Sequence, residues 1–327
     1  METRHAGASR LRVTPLGLGL AAVGRPGYIT EGRAADLGQD RSPDQMQAAA
    51  HAVLDAAWDA GIRYFDAARS YGSAEAFLAG WLEERGLTSD DVTVASKWGY
   101  RYTAGWRIDA DVHEVKDHSV GHLREQLAET QSLLGGALGA YQIHSATLET
   151  GVLSDPAVLA ELARLRDAGV VVGFTTSGAQ QADVVRHGTA AEVDGRRLFG
   201  LVQATWNLLE PSVAPALAEA ADAGLVVVVK EALANGRLTA RGDGGSEGPL
   251  AVLASRMGTT PDAVALAAVM AQPWCDVALS GAVTPDQVRA NLAATEVDFT
   301  ADDLTMVAPL AEPAEFYWQA RAARAWR

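Results

Sequence analysis

Apolar residues gather in eight short runs: Leu16–Val23, Gly61–Ala67, Val92–Trp98, Ala140–Ser145, Val170–Ser177, Leu198–Thr205, Leu225–Lys230 and Val277–Ala282. Each run is bounded by glycine or polar residues and is nearly continuous, as in strands buried on both faces of a parallel sheet. Between the runs, apolar positions recur at helical spacing over Ser42–Ala60, Ala74–Arg85, His118–Leu134, Asp155–Asp167, Ala179–His187 and Glu210–Asp222. The same spacing continues over Leu250–Met257, Pro261–Ala271 and Pro285–Ala294. Ser42-Pro43-Asp44 reads as a capped helix start with proline in the first turn. Asp59-Ala60-Gly61, Asp167-Ala168-Gly169 and Asp222-Ala223-Gly224 read as helix ends that run straight into the next strand, with glycine taking the left-handed cap. Eight βα units without a break in composition predict an α/β fold: one closed (β/α)8 TIM barrel over residues 1–327, ending in an aromatic tail (311–327). A doubly wound sheet is the alternative, but no G-x-G-x-x-G opens a helix after a strand, and Gly17-Leu18-Gly19 lies inside an apolar run.

Composition narrows the class. With 327 residues, 48% of them hydrophobic, the chain can bury a large core without disulfides, which excludes a disordered polypeptide. The single cysteine, Cys275, excludes a disulfide framework and a four-cysteine zinc site, and no metal is expected. No apolar run approaches the ~18 residues that span a bilayer. The start, METRHAGASR, lacks the apolar core of a secretory signal, so a cytoplasmic protein is expected. The net charge of −14 argues against nucleic acid or an anionic membrane as partner and leaves a small molecule. The closing RAARAWR reads as a cap on the barrel or as a contact in a homo-oligomer.

Barrel enzymes build their sites from the C-terminal ends of strands and the long loops that follow. The long connections here are Gly24–Arg41, Gly99–Asp117 and the glycine-rich Arg237–Pro249. Asp66, Lys97 and His144 each close an apolar run, and Tyr71 follows Asp66 by five residues. Only three of the 27 basic residues are lysines, which makes Lys97 and Lys230 at strand ends conspicuous. A buried carboxylate and ammonium are costly unless they pair, and adjacent strands allow that pairing. An ammonium beside a phenol stabilises tyrosinate and lowers the tyrosine pKa from its usual ~10. His144 is placed to orient a substrate carbonyl. Read singly, Asp66 and Lys97 also fit a structural ion pair, and His144 a satisfied core histidine.

Together, GIRYFDAARSYGSAE, SKWG and QIH resemble the signature of the aldo-keto reductase family, from Leu16 to about Ala294. The resemblance implies a barrel that binds a nicotinamide cofactor and interconverts a carbonyl (aldehyde, ketone or sugar) and an alcohol by hydride transfer. By the same resemblance, Tyr71 is the general acid/base, Lys97 lowers its pKa, Asp66 holds Lys97, and His144 orients the carbonyl. Ser177 and Gln203 match positions on the cofactor carboxamide, and Gly178 stands where an asparagine is common. Gln287 and Asn291 match the adenosine positions, and Gly281 with the helix near Pro285 the phosphate site. Glu231, Leu233, Gly236, Ser280 and Thr284 complete the implied cofactor set, and Tyr28, Trp98 and Trp106 are candidate pocket walls.

Two positions depart from the family pattern. Where it has an aromatic that stacks on the nicotinamide, followed by Ser-Pro-Leu, this chain reads Lys230-Glu231-Ala232-Leu233. Lys230 reads equally as a cofactor contact or as a side chain snorkelling into the mouth. Family usage points to NADP(H), yet the adenosine positions offer Arg289 as the one cation close by, on another helix face from Gln287, so NAD(H) competes. Two other functions also stand: a cofactor-sensing regulatory subunit with a reductase fold, and a Schiff-base barrel enzyme using Lys97 or Lys230.

Overall fold

The structure, a computed structural model, describes residues 1–326. Eight parallel strands close into a barrel in sequence order: β1 (Leu16–Gly19), β2 (Tyr64–Asp66), β3 (Thr93–Trp98), β4 (Leu138–Ala146), β5 (Val171–Thr176), β6 (Leu201–Thr205), β7 (Val226–Lys230) and β8 (Val277–Ser280). The expected (β/α)8 architecture is therefore present, with strands mostly shorter than the apolar runs. Where Leu20 to Val23 continues the first run, the chain has already turned, and Gly24 N donates to Leu20 O.

The helices Pro43–Asp59, Ala74–Arg85, Val120–Leu134, Pro156–Asp167, Gln181–Thr189, Ala214–Asp222, Pro249–Met257, Pro261–Met270 and Pro285–Leu292 surround the barrel. Their starts follow capping chemistry. The Asp155 carboxylate accepts from Ala157 N and Val158 N, and Thr284 Oγ1 accepts from Gln287 N. No helix among the described residues is long and apolar enough to cross a membrane.

The barrel interior is packed by Tyr64, Ala95, Ala140, Leu201, Val226, Val228, Val277 and Leu279. A short antiparallel hairpin, Arg4–His5 with Arg12–Val13, pushes Ala6, Leu11 and Val13 into the same cluster and plugs the N-terminal end. One end is thus closed by apolar side chains, and chemistry is confined to the other.

The long loops carry structure of their own. Gly24–Arg41 includes the helical turn Arg33–Leu37, and Gly99–Asp117 folds as the hairpin Tyr100–Tyr102 with Glu114–Lys116. Beyond the barrel lie helices Ala301–Val307 and Ala314–Ala322, the second of which begins inside the aromatic tail and carries Tyr317 and Trp318 into the core. These elements are too short or too polar to show in an apolar periodicity.

Two helical glycines separate propensity from packing. A Cβ on Gly188 would fall 2.3 Å from Cζ of buried Phe174, which itself packs on Phe199, whereas one on Gly80 would meet nothing nearer than 3.9 Å. Alanine gains about 1 kcal/mol of helix propensity at either site, but forced overpacking costs about 1–3 kcal/mol. Gly80→Ala is expected to raise the thermal midpoint by a degree or more and Gly188→Ala to lower it. Calorimetry of the two variants checks this, and a rise in both would contradict the packing.

Candidate active site

Asp66 ends β2 with its carboxylate at the barrel mouth. Lys97, two strand positions beyond Ala95, the register partner of Asp66, forms a buried ion pair with it. Lys97 Nζ also donates to Ala67 O at 2.9 Å. The other carboxylate oxygen accepts from Gln142 Nε2 on β4 at 3.2 Å and from Gln203 Nε2 on β6 at 3.1 Å. A charged group 2% exposed thus has donors from three strands.

His144 lies on β4 where the register with β5 shifts between Ile143 and Ala146. Ser145 there has φ +50°, and its N–H donates to Thr175 Oγ1 at 2.7 Å. Such a bulge re-aims a side chain, and here the imidazole sits at the mouth. Its Nε2 lies 3.4 Å from the Tyr71 hydroxyl, and the two rings are nearly perpendicular at 5.4 Å. Burial, reinforced by Lys97 and Arg25, holds His144 well below the ordinary histidine range, so the ring is neutral at physiological pH.

Tyr71 needs a correction. The expectation was a phenol made more acidic by Lys97. Lys97, paired to Asp66, has its ammonium 4.9 Å from the centre of the Tyr71 ring. Burial, then the Asp66 charge, push the phenol well above its ordinary value. The cation that opposes them is Arg25, a residue the sequence reading passed over.

Arg25 is 2% exposed, and its guanidinium lies 5.0, 5.1 and 4.5 Å from the rings of Tyr28, Tyr71 and Trp326. It donates to Ser70 O at 3.0 Å and to Glu114 at 2.8 Å. Its loop is locked in place. Arg33 donates to Ala22 O and Pro26 O, and Ser73 N donates to Gly24 O. Gly24 is required there, because a Cβ would fall 2.4 Å from Tyr71 O. The signal for Arg25 was the turn-forming Gly24-Arg25-Pro26-Gly27 in a long loop, which by itself does not tell a surface turn from a site loop.

These residues open into a trench of about 780 Å³. Tyr28, Tyr71, Tyr100, Glu114 and His144 line one end. Ser177, Gln203, Lys230 and Glu231 follow, then Leu233, Gly236, Ser280 and Gly281, and Thr284, Gln287 and Asn291 stand at the far end. Gly178 is not among the described residues of the lining. Neither are Trp98 and Trp106, expected as pocket walls. Trp98 neighbours Lys97 on β3, so strand alternation turns its ring outward, where it packs in the outer core against His118. Trp106 instead fastens loop to loop, with its indole N–H on Arg41 O at 2.7 Å and its ring against Phe77.

Lys230 donates to Thr205 Oγ1 at 2.7 Å and stands 3.8 Å from Glu231. Burial lowers its pKa to about 8 against the opposing pull of Glu231. For Glu231 burial works upward, but Arg321 and Lys230 outweigh it and hold the carboxyl at about 2. Glu231 has φ +56°, and its pairing with Arg321 ties the C-terminal helix across the mouth. Arg324 adds hydrogen bonds to Ile29 O and Asn235 O, and Trp326 stacks on His113 at 4.2 Å. The tail therefore caps the barrel.

A model of the Aldo/keto reductase family matches residues 15–312. The chain belongs to this family. It is an oxidoreductase enzyme, like the relatives it resembles. D-threo-aldose 1-dehydrogenase of a Pseudomonas species is 27% identical over 254 residues, 73% of this chain and 71% of that protein. Pyridoxal 4-dehydrogenase of Microbacterium luteolum is 30% identical over 154 residues, 41% of this chain, and the chain spans only 40% of that relative's length. In structure, the aldo-keto reductase AKR11C1 from Bacillus halodurans in its holo form aligns with a TM-score of 0.71 over 96% of this chain and 97% of that one, at 22% identity. That last likeness establishes the fold.

The lowered Lys230 pKa has a consequence for this reductase's stability. In the unfolded chain Lys230 loses its proton near 10.5, in the folded one near 8. The cost of burying its charge is therefore complete below pH 8 and is relieved as pH rises from 8 to 10.5. Relative to Lys230→Met, the wild type is expected to gain on the order of 3 kcal/mol across that window. Urea midpoints of both proteins at pH 7 and pH 10 measure the difference, and parallel pH profiles would contradict it.

Proposed function

We propose that this enzyme interconverts a small hydroxylated carbonyl compound and its alcohol, using a nicotinamide dinucleotide and with Tyr71 as general acid/base. The observation that carries the reading is the meeting of the Tyr71 hydroxyl and neutral His144 at the trench mouth, backed by the buried Asp66–Lys97 pair.

The residues present fit a dinucleotide. The trench lining reaches from β4, which carries His144, to β8 on the opposite side of the barrel, where buried Ser280 and Asn291 are hydrogen-bonded to each other. Nothing lies within 4 Å of where a Gly281 Cβ would stand, so a ligand can reach the backbone there. Helix Pro285–Leu292 begins on the lining, where Pro285 has no N–H and Gln287 N is held by Thr284 Oγ1, which leaves the open backbone at Gly281 as the approach for a phosphate. Lys230 occupies the place of the family's stacking aromatic, and its ammonium cannot supply that surface. When bound, the nicotinamide exchanges a hydride with the carbonyl carbon.

In the reducing direction Tyr71 donates its hydroxyl proton to the carbonyl oxygen. A phenol held protonated by burial and Asp66 is in the correct state for this at neutral pH. His144 Nε2, beside the same hydroxyl, hydrogen-bonds the oxygen and fixes its position. In the oxidising direction Tyr71 must first lose its proton, so the rate rises with pH, and Arg25 eases that loss. The mouth presents Arg25 and Glu114 among the rings of Tyr28, Tyr100 and Trp326, polar groups between aromatic faces that suit a hydroxylated ring. The names of the two relatives, an aldose and a pyridoxal dehydrogenase, agree with a substrate of this kind.

Tyr71→Phe removes the proton donor and leaves the trench intact. The expected result is a loss of ~10²-fold or more in kcat with dinucleotide affinity within about threefold of wild type. Steady-state kinetics on a panel of aldoses and aldehydes, with dinucleotide binding measured separately, checks both halves. Near-wild-type turnover would remove Tyr71 from the mechanism.

A further inference from the structure

The reactive end of the trench is fixed by Tyr71 and His144, so the remainder of a dinucleotide must extend toward helix Pro285–Leu292. At that far end stands Asp36, on the helical turn Arg33–Leu37 in the loop after β1. Its carboxylate accepts from Gln287 Nε2 at 2.7 Å and from Arg241 Nη1 at 3.0 Å. The Gln287 carbonyl oxygen accepts from Val283 N at 2.8 Å, so both ends of that amide are engaged. Arg33 holds the turn through Ala22 O and Pro26 O. Gly32 begins the turn at φ +74°, a backbone conformation strained for any residue with a Cβ.

The charge at this end is acidic. Asp36, Asp262 and Asp286 line the trench with Arg241 and with Arg33, which is 1% exposed and bonded to backbone carbonyls. The Asp36 side chain is 17% exposed and fixed, whereas Arg241 is 61% exposed and already paired to it. Arg289 turns along its helix to Asp286 and is not among the described residues of the lining.

We infer that Asp36 makes the far end of the trench selective for NAD(H) against NADP(H). The inference rests on the dinucleotide reading of the site and adds which dinucleotide it takes. A carboxylate accepts hydrogen bonds from a free ribose diol, as acidic residues do in other dinucleotide sites. A 2′-phosphate brings nearly two negative charges and acceptors only. It would face the Asp36 charge, and Arg241, the cation beside that carboxylate, is already paired to it.

The test is fluorescence titration of the wild-type enzyme with NADH and with NADPH at low salt, without substrate. NADH is expected to bind at least tenfold more tightly. Asp36→Asn, which keeps the shape and removes the charge, is expected to shrink that ratio at least fivefold, chiefly by tightening NADPH. Asp36→Ser provides a second reading, and thermal midpoints confirm that both variants fold. Added salt should narrow the wild-type ratio by screening the repulsion. NADPH binding as tightly as NADH would overturn the inference, as would a ratio unchanged in both variants. So would Arg241→Ala weakening NADPH alone, because Arg241 would then have left Asp36 for the phosphate. If the folded wild type binds neither nucleotide, the dinucleotide reading itself falls.

Discussion

A carboxylate buried at the mouth of an apolar barrel cannot stand alone, and the arrangement around Asp66 follows from that constraint. Desolvating it costs several kcal/mol unless a counter-charge and donors surround it. Lys97 supplies the charge, and Gln142 and Gln203 supply further hydrogen bonds. Because these partners come from β3, β4 and β6, neutralising one charge also fastens the ends of strands far apart in sequence. The fastened rim then sets the protonation of its neighbours. Burial, reinforced by Lys97, Arg25 and Lys230, keeps His144 neutral, while burial and the Asp66 charge keep Tyr71 protonated. The same electrostatic arrangement thus leaves a neutral imidazole beside a protonated phenol.

A second charged cluster, Lys230–Glu231–Arg321, organises the roof. It stands where the family pattern has an aromatic followed by Ser-Pro-Leu. Glu231 adopts a backbone conformation disfavoured for a residue with a Cβ, and the ion pair with Arg321 holds it there. Through Arg321 the cluster reaches the C-terminal helix, and through Arg324 and Trp326 that segment meets the loops after β1 and β7. The two loops also join directly, by Glu31 N on Asn235 O and by Asp36 with Arg241. The roof of the trench is therefore polar and paired, in contrast to the apolar plug at the opposite end of the barrel.

The barrel was legible because its strands are buried on both faces and read as unbroken apolar runs. Asp66, Lys97 and His144 were legible because each interrupts such a run at its end. What escaped lies outside any periodicity. Arg25 sits in a turn-like tetrapeptide, and its place beside Tyr71 depends on Gly24 and Arg33, residues whose contacts appear only on folding. Trp98 was taken for a pocket wall although strand alternation opposes it to Lys97. The direction of the Tyr71 pKa was missed for a related reason: spacing places Lys97 and its partner Asp66 near the ring but says nothing of the burial that dominates. Lys230 stands half-buried at the end of β7, on the trench lining.

The central claim is that this rim supports direct hydride exchange between a nicotinamide and a carbonyl carbon, with Tyr71 supplying only the oxygen-bound proton. Isotope tracing tests it most directly. Reduced nicotinamide dinucleotide carrying deuterium at C4 is incubated with the enzyme and a reducible hydroxylated aldehyde in ordinary water, and the alcohol is analysed by mass spectrometry and NMR. One deuterium is expected on the carbinol carbon when the transferring face of C4 is the labelled one, and none when only the other face is labelled. A product without deuterium from either label, or one that takes carbon-bound deuterium from heavy water, would contradict the claim.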